Sequence, residues 1–141
     1  MTEYVPEPTY RISFMFRKIL VPVDGSENSF RALDVAIDFA KRYGSKITVL
    51  YVVEQDINPD KVKASVAERL APHSIQWEFK ARRYSPATSS IANEIIQEVI
   101  TGSYDLVIMG ARGNTVNEEL LVGSNTLSVI INAPSSIMII R

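Results

Sequence analysis

Two short glycine clusters hold the residues most suited to chemistry. Gly110-Ala111-Arg112-Gly113 is followed, after nine residues, by Gly123-Ser124. The first cluster begins where the apolar run Asp105 to Met109 (DLVIM) ends, and the second lies where an apolar-periodic segment begins. Glycine has no Cβ, so its backbone can approach another group closely. The start of a helix presents N–H groups without intrahelical partners and the positive end of the peptide dipole, which favours an anion such as phosphate. Gly123, Ser124, Asn125 and Thr126 would form that helix mouth, with Ser124 and Thr126 adding hydroxyl donors. Glycines after strands are also ordinary turn residues, and Ser124 alone could be only an N-cap. The spacing leaves both readings open.

The rest of the chain indicates where such a grip would sit. Lys18 to Val23 (KILVPV) is a short β-branched run that reads as a buried first strand. Asp24-Gly25-Ser26 is turn chemistry, with Ser26 as N-cap of a helix whose Phe30, Leu33, Ile37, Ala40 and Tyr43 form one apolar stripe. Gly44 closes that helix as a left-handed cap. Lys46 to Val53 is a second buried strand. A second helix follows Asn58-Pro59 and stops at Pro72, and Ser74 to Ala81 alternates as a half-exposed edge strand. Ser85-Pro86 reads as N-cap and first helical residue of a third helix, with Ile91, Ile95 and Val99 inward and Gly102 at its end. The DLVIM strand, a helix from about Ser124 to Ile131, and a last strand from Ser136 to Ile140 complete the chain.

Regular alternation of strand and helix predicts an α/β fold: a doubly wound parallel sheet of five strands with right-handed crossovers. A Rossmann-like strand order of 3-2-1-4-5 is expected. Ligands of such sheets bind beyond the carboxyl ends of the strands, where strand order reverses. Asp24, the end of strand two and Gly110 should meet there. A carboxylate at Asp24 could accept hydrogen bonds from a sugar or base, an aliphatic wall could cover a flat ring, and the glycine loop could hold phosphates. Asp24 could equally serve only as an Asx turn.

At these residues the chain resembles a known family. The G-x-x-G-x9-G-[ST] spacing after a strand ending Met-Gly, the opening KILVPVDGSENSFRAL and the closing APSSIMIIR resemble the ATP-binding universal stress proteins. The resemblance covers about residues 16–141 and is weakest between 55 and 75. It implies that Pro22, Val23 and Asp24 border base and ribose, with Val52 beside the adenine. It further implies that Met109, Gly110, Arg112 and Gly113 line the ribose and phosphate side, and that Gly123, Ser124, Asn125 and Thr126 bind phosphate oxygens. The implied ligand is ATP, or ADP or AMP, with or without Mg²⁺. The implied assembly is a homodimer paired through the strand at 136–140. The pattern departs from its relatives at Asn117, Glu118 and Glu119, where lysine or arginine is frequent, and at Asn125, where an aliphatic residue is frequent.

Bulk properties bound the alternatives. The chain has 141 residues, which suits one domain over 15–141, with residues 1–14 as an arm or extension. The formal charge of −1 offers no broad footprint for nucleic acid or an anionic membrane. Cysteine is absent, which removes disulfides and thiolate sites. No apolar run approaches the ~20 residues of a membrane span, so a cytoplasmic location is expected. His73 is the only histidine, and Lys80, Arg82 and Arg83 read as a solvated basic cluster. No Walker-type lysine follows the glycines. Three functions remain: a nucleotide-binding stress-response regulator with at most weak ATP hydrolysis, a dimeric interaction module with an empty pocket, and an adenylating enzyme. The last would require an S-G-G-x-D-S loop where this chain has Val23-Asp24-Gly25-Ser26-Glu27-Asn28-Ser29.

Overall fold

A computed structural model describes residues 16–113 and 122–141. The expected arm at 1–14 lies outside the described residues, as do Asn117, Glu118 and Glu119. The strands are β1 (Lys18–Val23), β2 (Lys46–Glu54), β3 (Trp77–Tyr84), β4 (Leu106–Gly110) and β5 (Ser136–Ile140). The helices are α1 (Glu27–Tyr43), α2 (Asp60–Leu70), α3 (Ile91–Gly102) and α4 (Ser124–Asn132). The strands form one parallel sheet in the expected order β3-β2-β1-β4-β5.

Both faces of the sheet are covered, which explains the near-continuous apolar runs of the central strands. Ile19 and Val21 of β1 join Leu33, Ile37 and Leu70 in the core under α1 and α2. Leu20, one residue out of phase, joins Val99, Met109 and Val129 under α3 and α4. Local chemistry sets the helix ends. The Ser26 hydroxyl accepts the Ser29 N–H at 3.2 Å, and Gly44 closes α1 at φ 71°. Among the described residues, no helix is long and apolar enough to cross a membrane.

β3 and both ends of α3 differ from expectation. β3 starts at Trp77 and runs on to Tyr84, because β2 extends to Glu54 and pairs with it along its length. α3 begins at Ile91 under the cap of Ser90, whose hydroxyl accepts the Asn93 N–H at 3.1 Å. The Ser85 carbonyl instead accepts from Thr88 and Ser89, both at 3.0 Å, in a turn that goes no further. A helix begun at Pro86 would add a turn of Ala87, Thr88 and Ser89, with no large apolar side chain to bury. At the far end of α3 the left-handed residue is Ser103, φ 54°. Gly102 is needed for another reason: a Cβ there would strike the Tyr104 ring.

Candidate functional site

In a parallel sheet all carboxyl ends point the same way, and strand order here reverses between β1 and β4. A cleft of about 350 Å³ opens at that place. Pro22, Val23 and Asp24 come to it from the tip of β1, and Met109, Gly110, Arg112 and Gly113 from the end of β4. Gly123, Ser124, Asn125 and Thr126 come from the mouth of α4. Eleven of the twelve residues singled out from the sequence therefore line one cavity. Val52 does not: it is 7% exposed and packed in the core beneath α3. The apolar wall comes instead from Ile91 and Ile95 of α3, and Ser29 of α1 joins the lining. The sequence marked Ile91 and Ile95 only as an inward stripe, and nothing local marked Ser29.

Hydrogen bonds order the tip of β1. Asp24 Oδ1 accepts the Ser26 N–H at 2.9 Å, so the Asx turn left open by the sequence is present. The Asp24 N–H donates to Ser29 Oγ at 3.3 Å, and Ser29 Oγ donates to the Ser26 carbonyl at 2.8 Å. The other carboxylate oxygen, Oδ2, faces Gly113, where a Cβ would collide with it. Gly110 is constrained in the same way by Asn28, whose Cγ would lie 2.9 Å from an added Cβ. Each of these glycines thus makes room for a side chain of the β1–α1 segment. Gly123 differs: an added Cβ would meet nothing nearer than 3.7 Å.

The described residues that flank α4 and follow β4 are held by several hydrogen bonds. The Ala111 N–H donates to the Ile140 carbonyl and the Gly123 N–H to the Ala111 carbonyl, both at 2.7 Å. The Arg112 N–H donates to Asn28 Oδ1 at 3.0 Å. Thr126 Oγ1 donates to the Gly110 carbonyl at 2.9 Å and is buried. Its single hydroxyl proton is therefore engaged within the protein rather than turned to a guest. What α4 offers the cleft is the Ser124 hydroxyl and the first-turn N–H groups, to which the N-cap Gly123 brings no capping side chain. Arg112 is the only cationic side chain, and Asp24 the only carboxylate, among the described residues lining the cleft. The arrangement is a polar mouth for an anion beside an apolar wall and a single carboxylate. Among the described residues, no group of three or more histidine, cysteine or acidic side chains is disposed to hold a metal ion.

The α3 wall is braced from behind by side chains expected to be solvated. Glu98, 1% exposed, meets Lys80 Nζ at 2.9 Å, Arg82 at 3.1 Å and the Tyr104 hydroxyl at 2.7 Å. Arg82 also reaches Glu94 at 2.7 Å. Burial works to raise the Glu98 carboxyl, but hydrogen bonds from Lys80 and Tyr104 outweigh it and hold the group below its ordinary value. Hydrogen bonds from Ser89 and then Arg82 lower Glu94 as well. Arg83 donates to the Gln55 and Ile57 carbonyls at 2.8 and 3.0 Å. The basic cluster of β3 thus ties an edge strand to its neighbours.

Comparison with known proteins agrees with this architecture. A universal stress protein of Methanocaldococcus jannaschii is 27% identical over 143 residues, covering 90% of this chain and 83% of that protein. A universal stress protein solved in complex with cAMP superposes with a TM-score of 0.71 at 19% identity, over 90% of this chain and 98% of that one. One from Archaeoglobus fulgidus in complex with dAMP superposes with a TM-score of 0.68 at 15% identity, over 90% and 99%. The family model described as "Universal stress protein family" matches residues 15–141, and the chain belongs to that family.

Proposed function

We propose that the cleft binds an adenine nucleotide, ATP in the first place, and that the chain acts in the cytoplasm as a dimeric, nucleotide-responsive regulator of the stress response. The observation that carries this reading is the meeting of three features in one cavity: the α4 mouth, the Asp24 carboxylate and an apolar wall. First-turn N–H groups, the Ser124 hydroxyl and Arg112 suit phosphates. Asp24 suits a ribose hydroxyl, and Met109, Ile91 and Ile95 suit the base. Two structural neighbours hold cAMP and dAMP, which supports an adenine nucleotide as the ligand class. ADP and AMP are the competing guests, and Mg²⁺ would accompany a triphosphate through its phosphate oxygens.

The test is thermal unfolding with and without nucleotide. A ligand that binds only the folded chain, at 100 times its dissociation constant, stabilises it by roughly 2.7 kcal/mol. ATP should raise the transition temperature more than inorganic phosphate does. No shift with millimolar ATP, ADP, AMP or cAMP, with and without Mg²⁺, would favour an interaction module with an empty pocket.

A further inference from the structure

Asn28 lies on the first turn of α1, and nothing in its local sequence marks it. Its carboxamide nevertheless joins two segments remote in sequence. Oδ1 accepts the Arg112 N–H at 3.0 Å, and Nδ2 donates to the Ile140 carbonyl at 3.1 Å. One partner is a donor and the other an acceptor, so the bonds fix the amide orientation and need both halves of it. Aspartate could keep the first bond but not the second, and alanine neither. Gly110 adds an independent sign of design, since only a residue without Cβ leaves space for the Asn28 side chain. The Ile140 carbonyl also accepts the Ala111 N–H at 2.7 Å. The end of the edge strand β5 and the glycine loop therefore share one carbonyl, with Asn28 closing the triangle.

We propose that Asn28 is a positioning residue that couples the cleft to the edge strand β5. It sets the main chain of Arg112 for the guest and passes any change in that loop to Ile140. This rests on the nucleotide reading of the cleft, but the tie itself is made wholly of protein groups. A displacement of the loop by a guest must stretch the Asn28 bonds or move the end of β5. A change along β5, such as pairing with a second copy, must conversely reach the loop.

Amide hydrogen exchange on the full chain tests this, with Asn28→Ala and Asn28→Asp beside the parent. Without nucleotide, Asn28→Ala should speed exchange at Arg112 by about fivefold, the loss of one ordinary hydrogen bond. Asn28→Asp should keep Arg112 protected, a rescue that general loosening of the fold would not give. With ATP raised to saturation of each protein, the parent should show altered exchange along residues 136–140, and either variant should lose that response. Unchanged Arg112 exchange in the ligand-free alanine variant overturns the proposal, whatever the cleft binds. An identical β5 response in parent and both variants overturns it as well. Absence of any ATP binding by the parent would count against the nucleotide reading alone, and the ligand-free comparison would still decide the role of Asn28. Should Asn28→Ala fail to fold, the aspartate variant's β5 response decides the same question.

Discussion

Gly113 and Gly123 border the same cleft, yet they answer to different neighbours. A side chain at Gly113 must displace the Asp24 carboxylate, which an Asx turn holds in place. A side chain at Gly123 meets only ordinary contacts at 3.7 Å, and the residue's φ of −71° suits any amino acid. Gly113→Val should therefore weaken ATP binding by on the order of tenfold, about 1.4 kcal/mol. Its far-ultraviolet circular dichroism should be unchanged. Gly123→Ala should cost at most about 1 kcal/mol of stability, the price of a poorer N-cap. Calorimetric titration of both variants checks the pair, and parental affinity in Gly113→Val would remove that glycine from the site. Among the twelve residues read from the sequence, Val52 shows the limit of local reading. A buried strand end could face the cleft or the core, and only the packing of α3 sends it to the core.

At the scale of elements, α3 and β3 are joined by charges that the sequence presents as surface. The Ser85-Pro86 pair fits the rule for a helix start, yet Ser90 takes the cap because the apolar stripe begins only at Ile91. Lys80 and Arg82 alternate along a strand like solvated residues, but the register of β3 turns them under the sheet towards Glu98. Glu94 and Glu98 both titrate below their ordinary value of 4.5 when folded. The unfolded chain then binds more protons than the folded chain in that window, so stability is full above about pH 4.5 and declines as pH falls through the lowered values. Urea unfolding at pH 7 and pH 4 should show this loss. Arg82→Met should flatten the pH dependence and lower stability at pH 7, by up to about 3 kcal/mol if Glu98 keeps its charge. An unaltered pH profile in that variant would mean that the pairing does not act on stability.

At the scale of the whole molecule, β5 closes one side of the sheet with half-buried Ile137, Met138, Ile139 and Ile140. Next in the chain before it, α4 exposes Leu127, Ile130 and Ile131, the last at 70%. Among the described residues β5 has a strand neighbour on one side only, and we propose that a second copy pairs along its other side across a two-fold axis. Light scattering on the eluted protein should give twice the chain mass of 15.8 kDa. A monomer at every concentration tested would contradict a dimer formed through this edge.

Sequence alone was enough for the features set by short-range rules. Apolar runs, the Ser26 cap and the glycine cap at Gly44 act within about a turn of the chain, and right-handed crossovers then leave few ways to lay five strands in a parallel sheet. The glycine spacing likewise marked the mouth of the last helix, which the fold brings to the cleft. Tertiary structure decided what depends on partners far apart in the chain. Asn28 meets groups 84 and 112 residues away, Ile91 supplies the wall expected of Val52, and Glu98 gathers the charges of β3. No local pattern encodes those meetings, because they arise only when strand register and helix packing bring separate segments within hydrogen-bond reach.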